Sequence, residues 1–293
     1  MYSDLTGRFA PSPTGDLHAG SLVAAVASYC DIKHRGGSWR VRIDDIDKPR
    51  SVAGSSTAIL KSLETYGFEW DGDILWQGQR LEHYSEQLAE LVRRGLIFSC
   101  NCSRQSLPAG EIYPGNCADR IISYGGAHAD HQVSDHALRC RMLGTVTLND
   151  GIQGAHTLAL QKYTGDIIVW RRDGLVSYSL ACAIDDAETA SHVVRGADLL
   201  DSTAAQAGIM QALDLVPPYY AHIPVAVDAN GDKLSKHSKA QAIIDLDPLP
   251  TLLQAWHFLG QCAFDASSLS EFWRHAPTLW NMQSVPARTR LPL

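Results

Sequence analysis

The chain has no apolar run approaching the roughly 18 to 20 residues that crossing a bilayer takes, and its start, MYSDLTGRF, lacks a basic segment followed by an apolar one. A protein without a membrane role, at work in the cytoplasm, is therefore expected. Basic charge is short as well: 25 Lys and Arg face 32 Asp and Glu, a formal net charge of −7. That balance excludes a general nucleic-acid coating protein, whose affinity comes from neutralising phosphates, and leaves room only for a local basic groove. Seven cysteines in 293 residues are too few and too irregular for a disulfide scaffold. Four of them, Cys30, Cys140, Cys182 and Cys262, stand singly in apolar contexts where a thiol acts as a small buried hydrophobe. Repeats, low-complexity tracts and coiled-coil heptads are missing too, so organisation has to be read from alternating patterns.

What is present is enough apolar material, 45% of residues, for a large core. A short strand at 7–10, a Pro/Ser/Gly loop, a helix over 18–34 and a strand at 39–44 make a βαβ unit, the start of an open parallel sheet. Helices over 52–66 and 80–94 lead to a short apolar run at 96–99. From Cys100 to His136 the chain turns rich in Gly, Pro, Asn and Asp, the composition of an insertion without an apolar core. Regular structure resumes over 137–148, 166–171, 175–184 and 193–199, followed by a helix over 202–213, a strand over 220–227 and helices over 248–259 and 268–275. The tail from Pro286 reads as loose. The expected class is α/β with a parallel sheet, divided into residues 1–99, an insertion at 100–136, a second half at 137–239 and a short helical region at 240–293.

Two segments have the character of phosphate sites. Arg8-Phe-Ala-Pro-Ser-Pro-Thr-Gly-Asp-Leu-His18-Ala-Gly20-Ser21 sets a Pro/Gly loop before a helix whose N-terminus can receive phosphate, with Gly20 admitting close approach and His18 able to donate. By itself this is more often a mere turn. Lys233-Leu-Ser-Lys236-His-Ser-Lys239 is a cationic loop suited to the charge that develops on departing pyrophosphate, or else a solvated lysine loop. Together they resemble the paired HIGH and KMSKS signatures of class I aminoacyl-tRNA synthetases. His18 to Ser21 matches the first and Lys233 to His237 the second, in the right order, although HIGH ends here in Ser21 and KMSKS in His237. The string RFAPSPTG-x-LHAGS, with RIDDIDKPR at Arg42 to Arg50, is similar to the glutamyl branch.

That resemblance implies a Rossmann-like catalytic domain in which a glutamate carboxylate attacks the α-phosphate of ATP. His18 and Lys236 would be catalytic, and His18, Gly20, Ser21, Lys233 and Lys236 would bind ATP, accompanied by Mg²⁺. It also assigns Arg8, Ala10, Ser12, Asp44, Tyr178 and Arg195 to L-glutamate, the arginines reading carboxylate and Asp44 the ammonium. Asp44 stands where the branch has Glu, one methylene longer. From the residues alone, Arg8 and Arg195 could equally make internal ion pairs, because charge clusters are often structural.

Cys100-Asn-Cys102, with Tyr113 and Cys117, puts three thiols into the insertion. Structural zinc is expected there, since it takes four ligands and favours thiolate. Tyr113, Glu111 and His128 compete for fourth ligand, and a Cys102 to Cys117 thiol switch is the redox alternative. The C-x-C…Y-x₃-C pattern is similar to that of the short glutamyl-queuosine tRNA(Asp) synthetases, which implies Cys100, Cys102, Tyr113 and Cys117 as ligands. The chain stops about fifty residues past the KMSKS-like loop, without room for an anticodon-reading domain, as in that family. The implied partner is the anticodon stem-loop of tRNA(Asp), entering the active site of a monomer, with Arg139, Arg141, Arg171 and Arg172 as candidate contacts. Three competitors stand: a truncated glutamyl-tRNA synthetase charging a 3′ end, a small-molecule adenylyltransferase, and a catalytically silent binding paralogue.

Overall fold

The computed structural model describes residues 5–102, 112–122, 136–228, 231, 233 and 241–293. Its frame is a seven-stranded sheet in the order β3-β2-β1-β9-β10-β6-β7. The strands are β1 (Thr6–Phe9), β2 (Ser38–Ile43), β3 (Leu75–Trp76), β6 (Thr145–Asp150), β7 (Gly154–Ala159), β9 (His192–Gly196) and β10 (Tyr219–Ile223). Every pairing is parallel except that of β7 with β6, so β7 is an antiparallel edge. Pairing on both sides buries all four residues of β1.

Helix α1 (Ala19–His34) is apolar around most of its circumference because it is covered twice, by β1 and β9 on one side and by α7 (Pro248–Phe258) and α8 (Leu269–Leu279) on the other. Its approach to β1 leaves no room for a side chain at residue 7: a Cβ on Gly7 would lie 2.8 Å from Ile32 Cβ. Trp39, Phe68, Trp256 and Phe272 fill the core around it. A second core lies beneath α3 (Leu81–Arg93), α5 (Tyr178–Thr189) and α6 (Leu200–Ala212). The remaining helices are α2 (Ser55–Thr65) and the single turn α4 (Leu160–Tyr163).

The structure departs from the sequence expectations in four places, one of them β7, which lies where no element is expected. The strand expected over 220–227 is broken at Pro224, which has no N–H for a ladder, into β10 and β11 (Val225–Val227). The tail expected to be loose from Pro286 is instead anchored by β12 (Arg290–Pro292), which pairs in parallel with β11. The stretch 137–148 is two strands in different sheets. β5 (Ala137–Cys140) lies antiparallel between β4 (Ile97–Cys100) and β8 (Ile167–Trp170), whereas β6 joins the large sheet. A register shift between Leu138 and Arg139 marks the β5–β8 pairing.

Candidate active site

A cleft of about 560 Å³ opens at the C-terminal ends of β1, β9 and β10. Strand β1 has β2 on one side and β9 on the other, so its two neighbours are reached by crossovers running in opposite directions. In open parallel sheets that is where ligands bind. Arg8, Ala10, Ser12, His18, Gly20, Ser21, Tyr178, Arg195 and Lys233, nine of the expected site residues, line this one cleft. Asp44 does not line it, and Lys236, with His237 and Lys239, lies outside the described residues.

One half of the cleft is built by the start of α1. His18 is the N-cap: its Nδ1 accepts from the Ser21 backbone N–H at 3.4 Å, and its Nε2 lies 3.2 Å from Ser21 Oγ. The first turn of α1 carries no acidic residue, leaving the positive end of the helix dipole uncompensated by side chains. Leu17 C=O accepts from Ile243 N–H at 2.9 Å, and His18 bridges Ala242, so the chain after the lysine loop returns to this turn. Before that loop, Lys233 bridges Val227 and its ammonium pairs with Asp198. Both ends of the lysine loop are thereby fixed at the cleft.

The other half is a buried ion cluster. Asp186 accepts two hydrogen bonds from Arg8, at 3.0 Å from Nε and 2.8 Å from Nη2, and a third from Arg42 Nη1 at 2.6 Å. Burial pushes the Asp186 carboxyl up, but the guanidinium groups of Arg8 and Arg42 overcome it and hold it well below the usual carboxylate range. Arg42 also donates to Asp44 at 2.6 Å, and Cys182 Sγ lies 3.5 Å from Asp44 Oδ2. Asp44 is 3% exposed, and burial raises its pKa despite Arg42. Arg8 thus has the internal partner that the residues alone allowed, while still lining the cleft.

Arg195 differs. Its Nη2 donates to Thr203 and, at 2.7 Å, to Gln206, and its Nε donates to His222 Nε2 at 3.3 Å. Its Nη1 is buried with no hydrogen bond among the described residues, and the nearest carboxylate oxygen, on Asp186, is 3.9 Å away. An orphan guanidinium N–H on a cleft wall is a donor awaiting an acceptor.

Sequence reasoning missed Asp185, Asp186, Asp150 and His222. A signal for two of them was available: YSLACAIDDAET places adjacent acids in an otherwise apolar helix, and both are fully buried. Asp185 accepts from Gln77 at 2.7 Å and from the Tyr84 hydroxyl at 2.8 Å.

The thiols also come together. Cys100, Cys102 and Cys117 have sulfurs all within 4.8 Å of one another. Cys102 and Cys117 Sγ are 3.7 Å apart, against about 3.8 Å for the edge of a tetrahedron with metal–sulfur bonds of about 2.3 Å. The Tyr113 hydroxyl is 3.6 Å from Cys100 Sγ and accepts from Cys117 N–H at 2.9 Å. Burial pushes the Cys100 thiol up, but hydrogen bonding to Arg139 and Tyr113 brings it down to about 7. Burial and the neighbouring thiols raise the Tyr113 phenol; a bound cation reverses such shifts. The donor set therefore fits a tetrahedral metal ion. Glu111 and His128, the other fourth-ligand candidates, lie outside the described residues.

The arginines expected to meet RNA are engaged internally. Arg139 is buried, donates to Asp166 C=O at 2.6 Å and stacks over the Tyr113 ring at 3.8 Å. Arg141 donates to Ala118 C=O, and Arg172 to Cys102 C=O at 2.7 Å. These three tie the thiol cluster to the body, because its irregular backbone needs partners that no ladder supplies. Arg171 pairs with Asp173 and, at 3.4 Å, with Asp47.

No helix among the described residues is long and apolar enough to cross a membrane. Residues 4–274 match the family described as tRNA synthetases class I (E and Q), catalytic domain. A glutamyl-Q tRNA(Asp) synthetase of Dechloromonas aromatica is 40% identical over 306 aligned positions, covering 100% of this chain and 99% of that one. Another, from Salmonella paratyphi A, is 42% identical over 97% of this chain and 94% of its own. The crystal structure of the glutamate-tRNA synthetase of Elizabethkingia anophelis shares the fold with a TM-score of 0.80 at 22% identity, over 99% of this chain and 68% of that chain. Matched over nearly its whole length at this identity, the chain belongs to the class I aminoacyl-tRNA synthetases, as a ligase of the glutamyl-Q tRNA(Asp) synthetase family.

Proposed function

We propose that this protein activates L-glutamate with ATP and transfers it to queuosine at the wobble position of tRNA(Asp). The observation that supports the activation step is Arg195, which lines the cleft that also holds the α1 N-terminus and whose buried Nη1 has no hydrogen bond among the described residues. Glutamate has two carboxylates, and the wall offers guanidinium at Arg8 and Arg195 beside the Tyr178 phenol. Ala10 and Ser12 line the same cleft, and Asp44 acts on the ammonium from behind the wall. The transfer step rests on the relatives, whose names specify tRNA(Asp).

In the first step a glutamate carboxylate oxygen forms a bond to the α-phosphorus while the bond to the pyrophosphate oxygen breaks, so the protein's task is positioning and charge stabilisation. His18 and Gly20 receive the phosphates at the helix end, with Ser21 beside them, and Lys233 and Lys236 take the charge growing on pyrophosphate. Mg²⁺ bound with ATP would neutralise part of the same charge. In transfer a nucleophilic oxygen of queuosine bonds to the glutamyl carbonyl carbon as the carbonyl–phosphate bond breaks, its proton passes to the departing phosphate or to water, and AMP leaves. Cys100, Cys102, Cys117 and Tyr113 would hold a structural zinc ion, which supplies a covalent tie where apolar core is thin. In this reading residues 1–99 and 137–239 are the two halves of the catalytic domain, 100–136 the zinc-bearing insertion and 240–293 the helical close. The protein works as a cytoplasmic monomer on the anticodon stem-loop.

The test is glutamate-dependent ATP–pyrophosphate exchange, followed by transfer of labelled glutamate to tRNA(Asp) with and without queuosine. Exchange with queuosine-dependent transfer is the expected result. Charging of a 3′ end instead would make the protein a truncated synthetase, and absence of exchange, with or without RNA, a silent binding paralogue.

A further inference from the structure

Arg195 is oriented by a chain of buried groups that runs across three strands of the sheet. On β10, His222 is fully buried, with Nδ1 2.5 Å from Asp150 Oδ2 on β6 and Nε2 2.8 Å from Thr203 Oγ1. The other Asp150 oxygen accepts from the backbone N–H of Ile152 at 3.0 Å, Gln153 at 2.8 Å and His222 at 3.1 Å. That carboxylate is therefore fixed, and its free lone pairs face the imidazole. A carboxylate can only accept, so the proton belongs on Nδ1, and Nε2 is left as the acceptor that Arg195 Nε–H meets at 3.3 Å.

We propose that His222, held as its Nδ1–H tautomer by Asp150, is a positioning residue for substrate binding. By accepting from Arg195 Nε it fixes the plane of the guanidinium and leaves Nη1 for a glutamate carboxylate. The proposal rests on the reading of the cleft as a glutamate site and adds to it a specificity device two residues removed from the ligand. In the other tautomer, or as imidazolium, an Nε2–H would face Arg195 Nε–H and the guanidinium would have to turn. The charged and titratable groups facing His222 are Asp150 from β6, Arg195 from β9, Arg8 from β1 and the Tyr220 phenol stacked beside it on β10; α6 adds the neutral Thr203 and Gln206. Burial, with Arg195 and Arg8, outweighs Asp150 and keeps the imidazole below its ordinary pKa, so the acceptor form persists at neutral pH.

The decisive variant is Asp150→Asn in the whole chain. The amide keeps an oxygen for the three backbone donors while its NH₂ replaces the oxygen facing His222, which forces the opposite tautomer without removing bulk. In pyrophosphate exchange, D150N is expected to raise KM for glutamate roughly tenfold or more, the loss of one charge-assisted hydrogen bond, with KM for ATP and kcat changed by less than about threefold. Wild-type KM for glutamate should stay level down to the ordinary histidine pKa and rise only in stronger acid, whereas D150N should be weak throughout. Equal changes in both KM values, or a fall in kcat alone, would make the pair merely structural and overturn the proposal. If D150N does not fold, imidazole ¹⁵N spectra of the wild type decide the matter: a protonated Nδ1 at His222 is expected, and a protonated Nε2 overturns it. A wild type without glutamate-dependent exchange would instead sink the reading of the cleft, and the tautomer measurement would still judge the relay.

Discussion

Beneath the cleft, Asp186 is fully buried among Arg8, Arg42 and Arg195, inside the core that α5, β1 and β9 share. Among the described residues, the thiols of Cys100, Cys102 and Cys117 have as apolar company only Phe98, Tyr113 and Ala118. Both regions keep polar groups away from water, but the first is held by the fold, which supplies Asp186 with the guanidinium groups of Arg8 and Arg42. The second is held by backbone ties from Arg141 and Arg172 and by Arg139 stacked on Tyr113. A site that must recognise a small charged ligand benefits from preorganisation that no bound group has to create. A knuckle that serves as scaffold can leave its cohesion to a metal, whose binding energy then becomes local folding energy.

The harshest way to break this contrast is Asp186→Asn, which strips the shared carboxylate from buried guanidinium groups. Breaking a buried ion pair by removing one partner costs about 3–5 kcal/mol. D186N should accordingly lose that much stability in denaturant titration and fall at least about a hundredfold in kcat/KM for glutamate. Near-normal glutamate kinetics in D186N would refute the idea that the cluster organises the site. A Cys102→Ser, Cys117→Ser double variant should lose bound zinc, measured by metal analysis, yet keep exchange within about tenfold, because no group of the knuckle lines the cleft. Loss of exchange as deep as that of D186N would show the two regions to be one unit.

Acid gives a third, graded perturbation. Asp186 is held low by arginines, and Asp150 by His222 and backbone donors despite burial. For both, the unfolded chain binds protons first. Their stabilisation is therefore fully present above the unfolded carboxylate pKa of about 3.9 and is lost as pH falls through the lower folded values. Unfolding free energy should drop with falling pH in that window; a flat slope there would mean that the two carboxylates are not held low by their partners, since Asp44, raised by burial, acts only above it. The smallest expected effect concerns the tail. Deleting residues 290–293 removes β12 from β11, the strand leading to Lys233, and should lower Tm by roughly 2–4 °C, about 1 kcal/mol, with KM for ATP rising by less than about threefold.

Several helices and strands were legible because their periodicity follows from burial on one or two faces, as in α3 and β2. The turn before α1 was legible for a different reason: the Pro/Gly segment, His18 and Gly20 are close in sequence, and local geometry dictates that they share a helix end. The thiols were legible from their spacing. The roles of Arg139 and Arg172 were not, since their carbonyl partners lie 27 and 70 residues away in sequence and no pattern marks a carbonyl as lacking a ladder.

Sequence alone thus determined the α/β class, the strand–turn–helix at the cleft, and the set of charged residues available to line it. Local sterics and hydrophobic period suffice for those. Only the tertiary structure decided which charges meet: that Arg8 shares Asp186 with Arg42, that Asp150 reaches His222 across 72 positions, and that Arg195 keeps one nitrogen without a partner. The reason is that a parallel sheet brings together residues far apart in the chain through its strand order, and a buried ion's partners are set by distance in space.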